Sequence, residues 1–319
     1  MRAIVTESPG GSLLCADVAA PTPAEGELLI DVTYALLQPQ TLPDAASTVV
    51  GAAGCGRVAE DPAGEIAPGT LVAFVDAAGA CAEHVVVARE RVAAVPEGIE
   101  ESVAACMLAP GMTAHALLFS VRETHDGDTM VITDGASEVG LALTQLAAAE
   151  GATVFSVVRT GSGEEAAYDA GATGVFRYYP DAAQRICEAN GGRGVDVVYE
   201  SHGAPTTASI HPLQLAVEAC APRGLICVYG DFNGDVQGPR IDLAELERHG
   251  GLYLTHPSLR WYTQTADEFR FHSQAVTRAV EEGTLRFEVG QVVPLERAAD
   301  AYAAFDGAEP GCLVVRVAG

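Results

Sequence analysis

The sequence predicts an α/β protein in which a doubly wound parallel sheet is joined to a mainly β domain. Three observations lead there. The first third is built from short, valine-rich segments separated by Gly, Pro and Asp. From about Val103 onward, apolar strands alternate with helical stretches, the pattern of repeated β-α units. Two later strands, residues 195–199 and 225–229, are apolar enough for a sheet buried on both faces. A chain of 319 residues suits two compact domains or one large α/β unit.

The opening strands are "AIVTE", "ELLIDVTYALL", "CGRVAE", "TLVAFV" and "CAEHVVVARERVAAV". "VAACMLAPGMTAHALLFSV" predicts a helix with a break at its Pro-Gly pair. "TMVITD" then predicts a strand, "VGLALTQLAAAEG" a helix closed by glycine, "TVFSVVR" a strand and "EEAAYDAG" a helix. "GVFRYY", "VDVVYES", "LICVYG" and "LYLTH" are further strands, with helices expected in "AAQRICEANGG" and "ASIHPLQLAVEACAPRG". The tail reads helix, strand, helix, strand, and its strands are expected to rejoin the first domain.

Composition narrows the function. The formal net charge is -25, a field that repels phosphate backbones and argues against nucleic-acid binding. There is no lysine, which excludes a Schiff-base or Walker lysine and leaves arginine, hydroxyls and backbone N–H groups to meet any phosphate. The eight cysteines form no C-x-x-C pair and read as small buried hydrophobes of a reducing compartment. No uninterrupted apolar window of membrane-spanning length and no signal-peptide pattern is read, so a cytoplasmic protein without membrane association is expected.

"TDGASEVGLALTQLAAAEGATVFSVVRT" carries the functional signal. A strand, a turn at 135–140 and a helix from Val139 form a phosphate cradle, because a helix N-terminus offers unpaired N–H groups and partial positive charge. About 20 residues on, a dinucleotide fold selective for NAD places an acid, whereas one taking NADP places an arginine. Here the position holds Arg159, followed by Thr160 and Ser162. A bidentate guanidinium suits a 2′-phosphate, so NADPH is expected; the alternative is a solvent-facing arginine at a strand end.

The order of motifs resembles the medium-chain dehydrogenase/reductase superfamily, and within it the zinc-free quinone oxidoreductase (zeta-crystallin-like) branch. The segments concerned are "MRAIVTESPGG", "VVGAAGCGRVAE", "GMTAHALL", "GASEVG", "GGRGVDVVYESHG", "GLICVYGDFNG", "GGLYLTHPSLRWY" and "VGQVVPLERAADAYAAFDG", which together span nearly the whole chain. The resemblance implies a Rossmann-type domain over residues 114–255 and a GroES-like catalytic domain from 1–113 and 256–319, with the cofactor in the cleft. It implies NADPH-dependent reduction of a small-molecule quinone or α,β-unsaturated carbonyl, and a homodimer pairing through residues 252–255. It implies cofactor contacts at Ser137, Glu138, Val139, Gly140, Arg159, Thr160, Ser162, Tyr178, Tyr229, Gly230 and Phe232.

This sequence departs from the family pattern in several places. Glu138 stands where the turn usually has glycine, and is expected to point outward or to cap the helix. Ala53 replaces an acid, Gln38 and Gln40 replace the family's asparagine and aspartate, and Gly163 replaces a lysine that commonly meets the 2′-phosphate. The loop from Gln40 to Gly51 is short, which suggests a more open site. Cys55, His84, His115 and His125 lack ligand spacing, so no metal is expected. Hydride transfer needs orientation and a donor for the developing oxygen charge more than an acid. Gln38 and Thr113 rank first for that role and Tyr34 follows, with His256 and Tyr262 behind. An enoyl reductase for an acyl-thioester or polyketide intermediate, and an NADPH-binding sensor without turnover, remain as alternatives.

Overall fold

The computed structural model describes residues 1–7, 12–38, 48–201, 211–230, 241–305 and 309–317. The chain separates into two compact units: Met1–Met112, Thr263–Gly307 and Gly311–Gly319 form one, and Thr113–Tyr262 with Ala308–Pro310 form the other.

In chain order the first unit contributes β1 (Arg2–Thr6), β2 (Leu13–Asp17), β3 (Glu27–Leu37), β4 (Gly54–Glu60), β5 (Leu71–Phe74), β6 (His84–Ala88) and β7 (Val92–Ala94). Helix α1 (Glu101–Ala116) follows. The second unit holds β8 (Thr129–Thr133), α2 (Glu138–Ala149), β9 (Thr153–Val158), α3 (Gly161–Asp169), β10 (Gly174–Arg177) and α4 (Ala182–Ala189). It continues with β11 (Val195–Ser201), α5 (Pro212–Ala219), β12 (Cys220–Tyr229), α6 (Leu243–Arg248) and β13 (Tyr253–Thr255). The chain then returns to the first unit as α7 (Ala266–Glu281), β14 (Val289–Pro294), α8 (Ala298–Ala304) and β15 (Cys312–Arg316).

The first unit is mainly antiparallel. Its larger sheet runs β14-β15-β3-β4-β5-β7, with β6 also paired to β3. The eleven residues of β3 bind three partners because alternate side chains, such as Leu28, Ile30 and Val32, point into the core beside Phe74, Leu313 and Val315. The tail strands rejoin this sheet as expected, β15 lying antiparallel to β3 with Val315 opposite Ala35. β2, which the sequence reading did not separate, exists by pairing with β1.

The second unit is a six-stranded, fully parallel sheet in the order β10-β9-β8-β11-β12-β13. Strand order reverses between β8 and β11, and ligands of such sheets bind beyond the carboxyl ends at that point. Val131, Val157, Val198 and Ile226 from four neighbouring strands share one core with Leu215 and Ala216 of α5.

Three expectations change. Pro110 does not break its helix: α1 continues through it to Ala116 and widens into a π-turn over Leu117–Val121. The neighbouring glycine serves packing instead, since a Cβ on Gly111 would lie 2.8 Å from Val276 of α7. The helix expected to reach Gly224 ends at Ala219, and β12 begins at Cys220, because Pro222 cannot continue a helix. Residues 221–224 bulge there, with Arg223 at φ +65°. Finally, Glu101–Val121 is long and apolar enough to cross a membrane by length and composition, contrary to the sequence reading. Its most apolar window is 72% buried within the protein, as a core helix would be.

Candidate functional site

The cradle in the second unit is built at the carboxyl end of β8. Asp134 adopts φ +49°, a conformation rare for a side chain with a Cβ, and its carbonyl accepts the Ser137 N–H at 2.9 Å. The chain thereby doubles back within four residues. Gly135 and Gly140 are required by space: a Cβ on Gly135 would lie 2.8 Å from the Ser156 side chain, and one on Gly140 would lie 2.6 Å from the Asp134 carbonyl oxygen. Helix α2 therefore starts directly against the turn. Its cap is Ser137, whose Oγ accepts the Gly140 N–H at 3.1 Å. This corrects the expectation for Glu138, which occupies the first helical position and is not the capping side chain. The first N–H groups of a helix have no carbonyl within the helix to donate to. A turn closed by two glycines against a twelve-residue helix fits a pyrophosphate.

Arg159 sits one residue beyond β9 and does not face solvent. Its Nε donates to Oδ1 of Asp134 at 3.1 Å, and the two side chains are only 17% and 13% exposed. The backbone carbonyl of Arg159 accepts from the Arg177 guanidinium, which also pairs with Glu164 at 2.9 Å. Thr160 caps α3 by accepting the Gly163 N–H at 3.1 Å. Ser162 donates to the Glu309 carboxylate, so an acid already engages that hydroxyl. Gly163 has its own steric reason, since a Cβ there would lie 2.9 Å from Ala136 of the turn.

The two tyrosines expected to contact the cofactor are both buried. Tyr178 is 7% exposed, and its hydroxyl accepts the Asp134 N–H at 2.7 Å, so it buttresses the turn from within the core. Burial pushes its hydroxyl well above the usual range. Tyr229 ends β12, is likewise buried, and its hydroxyl has no hydrogen-bond partner among the described residues. Gly230 follows at φ +94°, exposed, with its carbonyl accepting from Nε2 of His256 at 3.3 Å. Phe232 and Gln40 lie outside the described residues.

Two acids were missed by sequence reasoning. Asp134 looked like the polar end of a strand, and Glu200 like the end of "VDVVYES". Glu200 is 2% exposed, and burial, followed by the charge of Asp134, pushes its carboxyl up to about 7. Burial also raises Asp134, while Arg159 pulls it back down. The available signal was an acid at the carboxyl end of each central strand in otherwise apolar runs.

The catalytic candidates are divided. Tyr34 and Gln38 belong to the first unit and Thr113 opens the second. Tyr34 lies in β3 opposite Cys55 and Arg316, half-buried, with no side-chain hydrogen bond among the described residues. Gln38 directly follows β3, and Thr113 lies in the last turn of α1. Ala53 is buried, its carbonyl accepting the Leu36 N–H at 2.9 Å. Tyr262 closes a turn by donating its N–H to Leu259.

Among the described residues no group of three or more His, Cys, Asp or Glu could hold a metal. Cys55 contacts Thr33 at 3.3 Å and Glu101 O at 2.8 Å, and burial pushes its thiol up to about 12. His84 pairs with Asp31 at 2.8 Å, His125 with the Glu123 carbonyl at 3.0 Å, and His115 packs on Phe119.

Comparison with known proteins agrees with this architecture. The family model for zinc-binding dehydrogenases matches residues 139–255. A quinone oxidoreductase of Pseudomonas aeruginosa is 31% identical over 225 residues, 70% of this chain and 67% of the relative. A 2-haloacrylate reductase of a Burkholderia species is 31% identical over 227 residues, 70% of this chain and 66% of that one. The solved structure of mycobacterial Rv1454c complexed with NADPH superposes with a TM-score of 0.89 at 32% identity, covering 99% of this chain and all of the other.

Proposed function

The chain belongs to the zinc-free medium-chain dehydrogenase/reductase family, in its quinone oxidoreductase branch, and from that premise we propose an NADPH-dependent reductase of quinones or α,β-unsaturated carbonyls. The observation that carries the proposal is the cradle: a glycine-tight turn and capped helix, with Arg159 held against the turn by Asp134. The NADPH complex of the 32% identical mycobacterial structure supports the cofactor, and the names of the two bacterial relatives support the acceptor class.

When bound, NADPH supplies the hydride. The chain's own residues do the rest. The N–H groups of Glu138 and Val139 hold the pyrophosphate, and Arg159 meets the 2′-phosphate. Thr160 and Ser162 add less, since both hydroxyls already serve local contacts. Gln38, Thr113 and Tyr34 are the candidates we propose for donating to the oxygen on which negative charge develops. Among these, Tyr34 has no side-chain hydrogen bond among the described residues, as such a donor requires. Water provides the final proton.

The partner is a small-molecule substrate. Homodimerisation and a cytoplasmic location belong to the proposal. β13 is a short edge strand whose Tyr253 and Leu254 are 65% and 40% exposed, with Trp261 exposed nearby, and such an edge suits pairing with a second copy. Titration with NADPH, followed by loss of nicotinamide absorbance on adding quinones and enones, tests the proposal. NADPH oxidation by one acceptor class supports it, and tight binding without oxidation by any acceptor favours a sensor.

A further inference from the structure

Several polar groups gather beneath the phosphate turn. The Ser201 N–H donates to Thr133 Oγ1 at 2.8 Å and ties the end of β11 to the end of β8. Tyr178 supports the Asp134 backbone from β10, and Arg159 pairs with its carboxylate from β9. Two buried polar atoms at the carboxyl ends of β11 and β12 have no such contact. Oε2 of Glu200 and the hydroxyl of Tyr229 are buried without a hydrogen-bond partner among the described residues, in side chains of residues 2% and 4% exposed. They stand on adjacent strands, but Glu200 is opposite Val228 and Ser201 opposite Tyr229, so their side chains leave opposite faces of the sheet. Buried polar atoms are nearly always paired, so the exception at Glu200, on a strand of the switch point, needs a reason.

The charge inventory supplies one. Asp134, Glu138 and Glu200 place three carboxyl groups in or beneath the cradle, and Arg159 is the guanidinium paired into it. A dinucleotide brings further negative charge to the same turn. In a low-dielectric surrounding, that repulsion is large unless one carboxyl is neutral. Resting on the reading of the site as an NADPH cradle, we propose that cofactor binding takes up a proton and that Glu200 is the group that receives it. The proton adds to one carboxylate oxygen of Glu200, whose buried Oε2 has no hydrogen-bond partner among the described residues.

The groups around Glu200 fit this role. Asp134, from the end of β8, is the charge acting on it. Tyr178 and Tyr229 are pushed well above the usual phenol range and stay neutral. Ser201 does not titrate, and Arg159 is already committed to Asp134. Because Glu200 already titrates near neutrality, a modest further negative potential is enough to protonate it.

Calorimetric titration of the intact protein with NADPH, in two buffers of different ionisation enthalpy at about pH 8, counts the protons. Net uptake of up to about one proton is expected, with affinity falling by up to about tenfold per pH unit above neutrality. Glu200→Gln should keep NADPH binding, abolish the uptake and flatten the pH profile. Zero uptake or proton release in the wild-type protein overturns the inference, whether or not the variant folds. Undiminished uptake in Glu200→Gln overturns it too, assigning the proton to another group such as Asp134. Failure to bind NADPH at any pH overturns instead the reading on which the inference rests, so the two failures are distinguishable.

Discussion

Nε of Arg159 donates to Oδ1 of Asp134 across 3.1 Å, joining the residue that follows the second strand of the parallel sheet to the residue that opens the phosphate turn. The pair places a guanidinium at the cradle in a chain without lysine, and it does so at partly buried positions where charge-assisted bonds are strong. Removing Arg159 should therefore act on the cofactor's 2′-phosphate. Arg159→Ala is expected to weaken NADPH by about 10- to 100-fold, the range of a lost charge-assisted hydrogen bond, and to leave NADH nearly unchanged. Parallel titrations check this, and an unchanged preference for NADPH would remove Arg159 from the site.

Gly140 tests the turn. Alanine favours a helix over glycine by about 1 kcal/mol, but its Cβ would lie 2.6 Å from the Asp134 carbonyl oxygen. The steric cost of about 1–3 kcal/mol outweighs the propensity, because the atom struck is backbone and cannot rotate away. Gly140→Ala should lower the unfolding midpoint and weaken NADPH. A variant as stable as the parent with full cofactor affinity would contradict the tight-turn account.

Glu200 makes stability depend on pH in an unusual direction. Its folded-state carboxyl is raised from 4.5 to about 7, so between those values the folded state binds more protons than the unfolded state. Stability is therefore lost as pH rises through that window, by roughly 3 kcal/mol for the full shift. Glu200→Gln should raise the thermal midpoint at about pH 8 and change it little at about pH 4. Melting curves at both pH values decide, and a variant less stable at the higher pH would show that ionised Glu200 is well accommodated.

The edge of the parallel sheet bears on assembly. Leu254→Arg places a charge on the exposed strand β13, where pairing with a second copy is proposed. Light scattering of the eluted protein should find the parent as a dimer and the variant shifted toward monomer. A variant that stays fully dimeric would move the interface elsewhere.

Much of the fold was legible because local pattern and tertiary demand agree. "ELLIDVTYALL" is β3 to the residue, since its alternation matches its burial. The β8–α2 unit was legible from an apolar run, small turn residues and a glycine close at φ +83° after α2. Elements whose identity comes from partners were not. β2 is five residues, four of them half-buried, that make sense only beside β1, and α6 is six residues capped by Asp242. The site divides the same way. The cradle and Arg159 follow from spacing, whereas the pairing of Arg159 with Asp134, the core position of Tyr178 and the burial of Glu200 arise from strand order. A sequence does not display which strand ends meet.

The central claim is most directly tested by titrating the purified protein with NADPH and NADH, then following nicotinamide absorbance on addition of a panel of quinones and enones. The account predicts tighter binding of NADPH than of NADH and oxidation of NADPH by at least one acceptor class. Equal or absent binding of the two cofactors, with no oxidation by any acceptor, would contradict it.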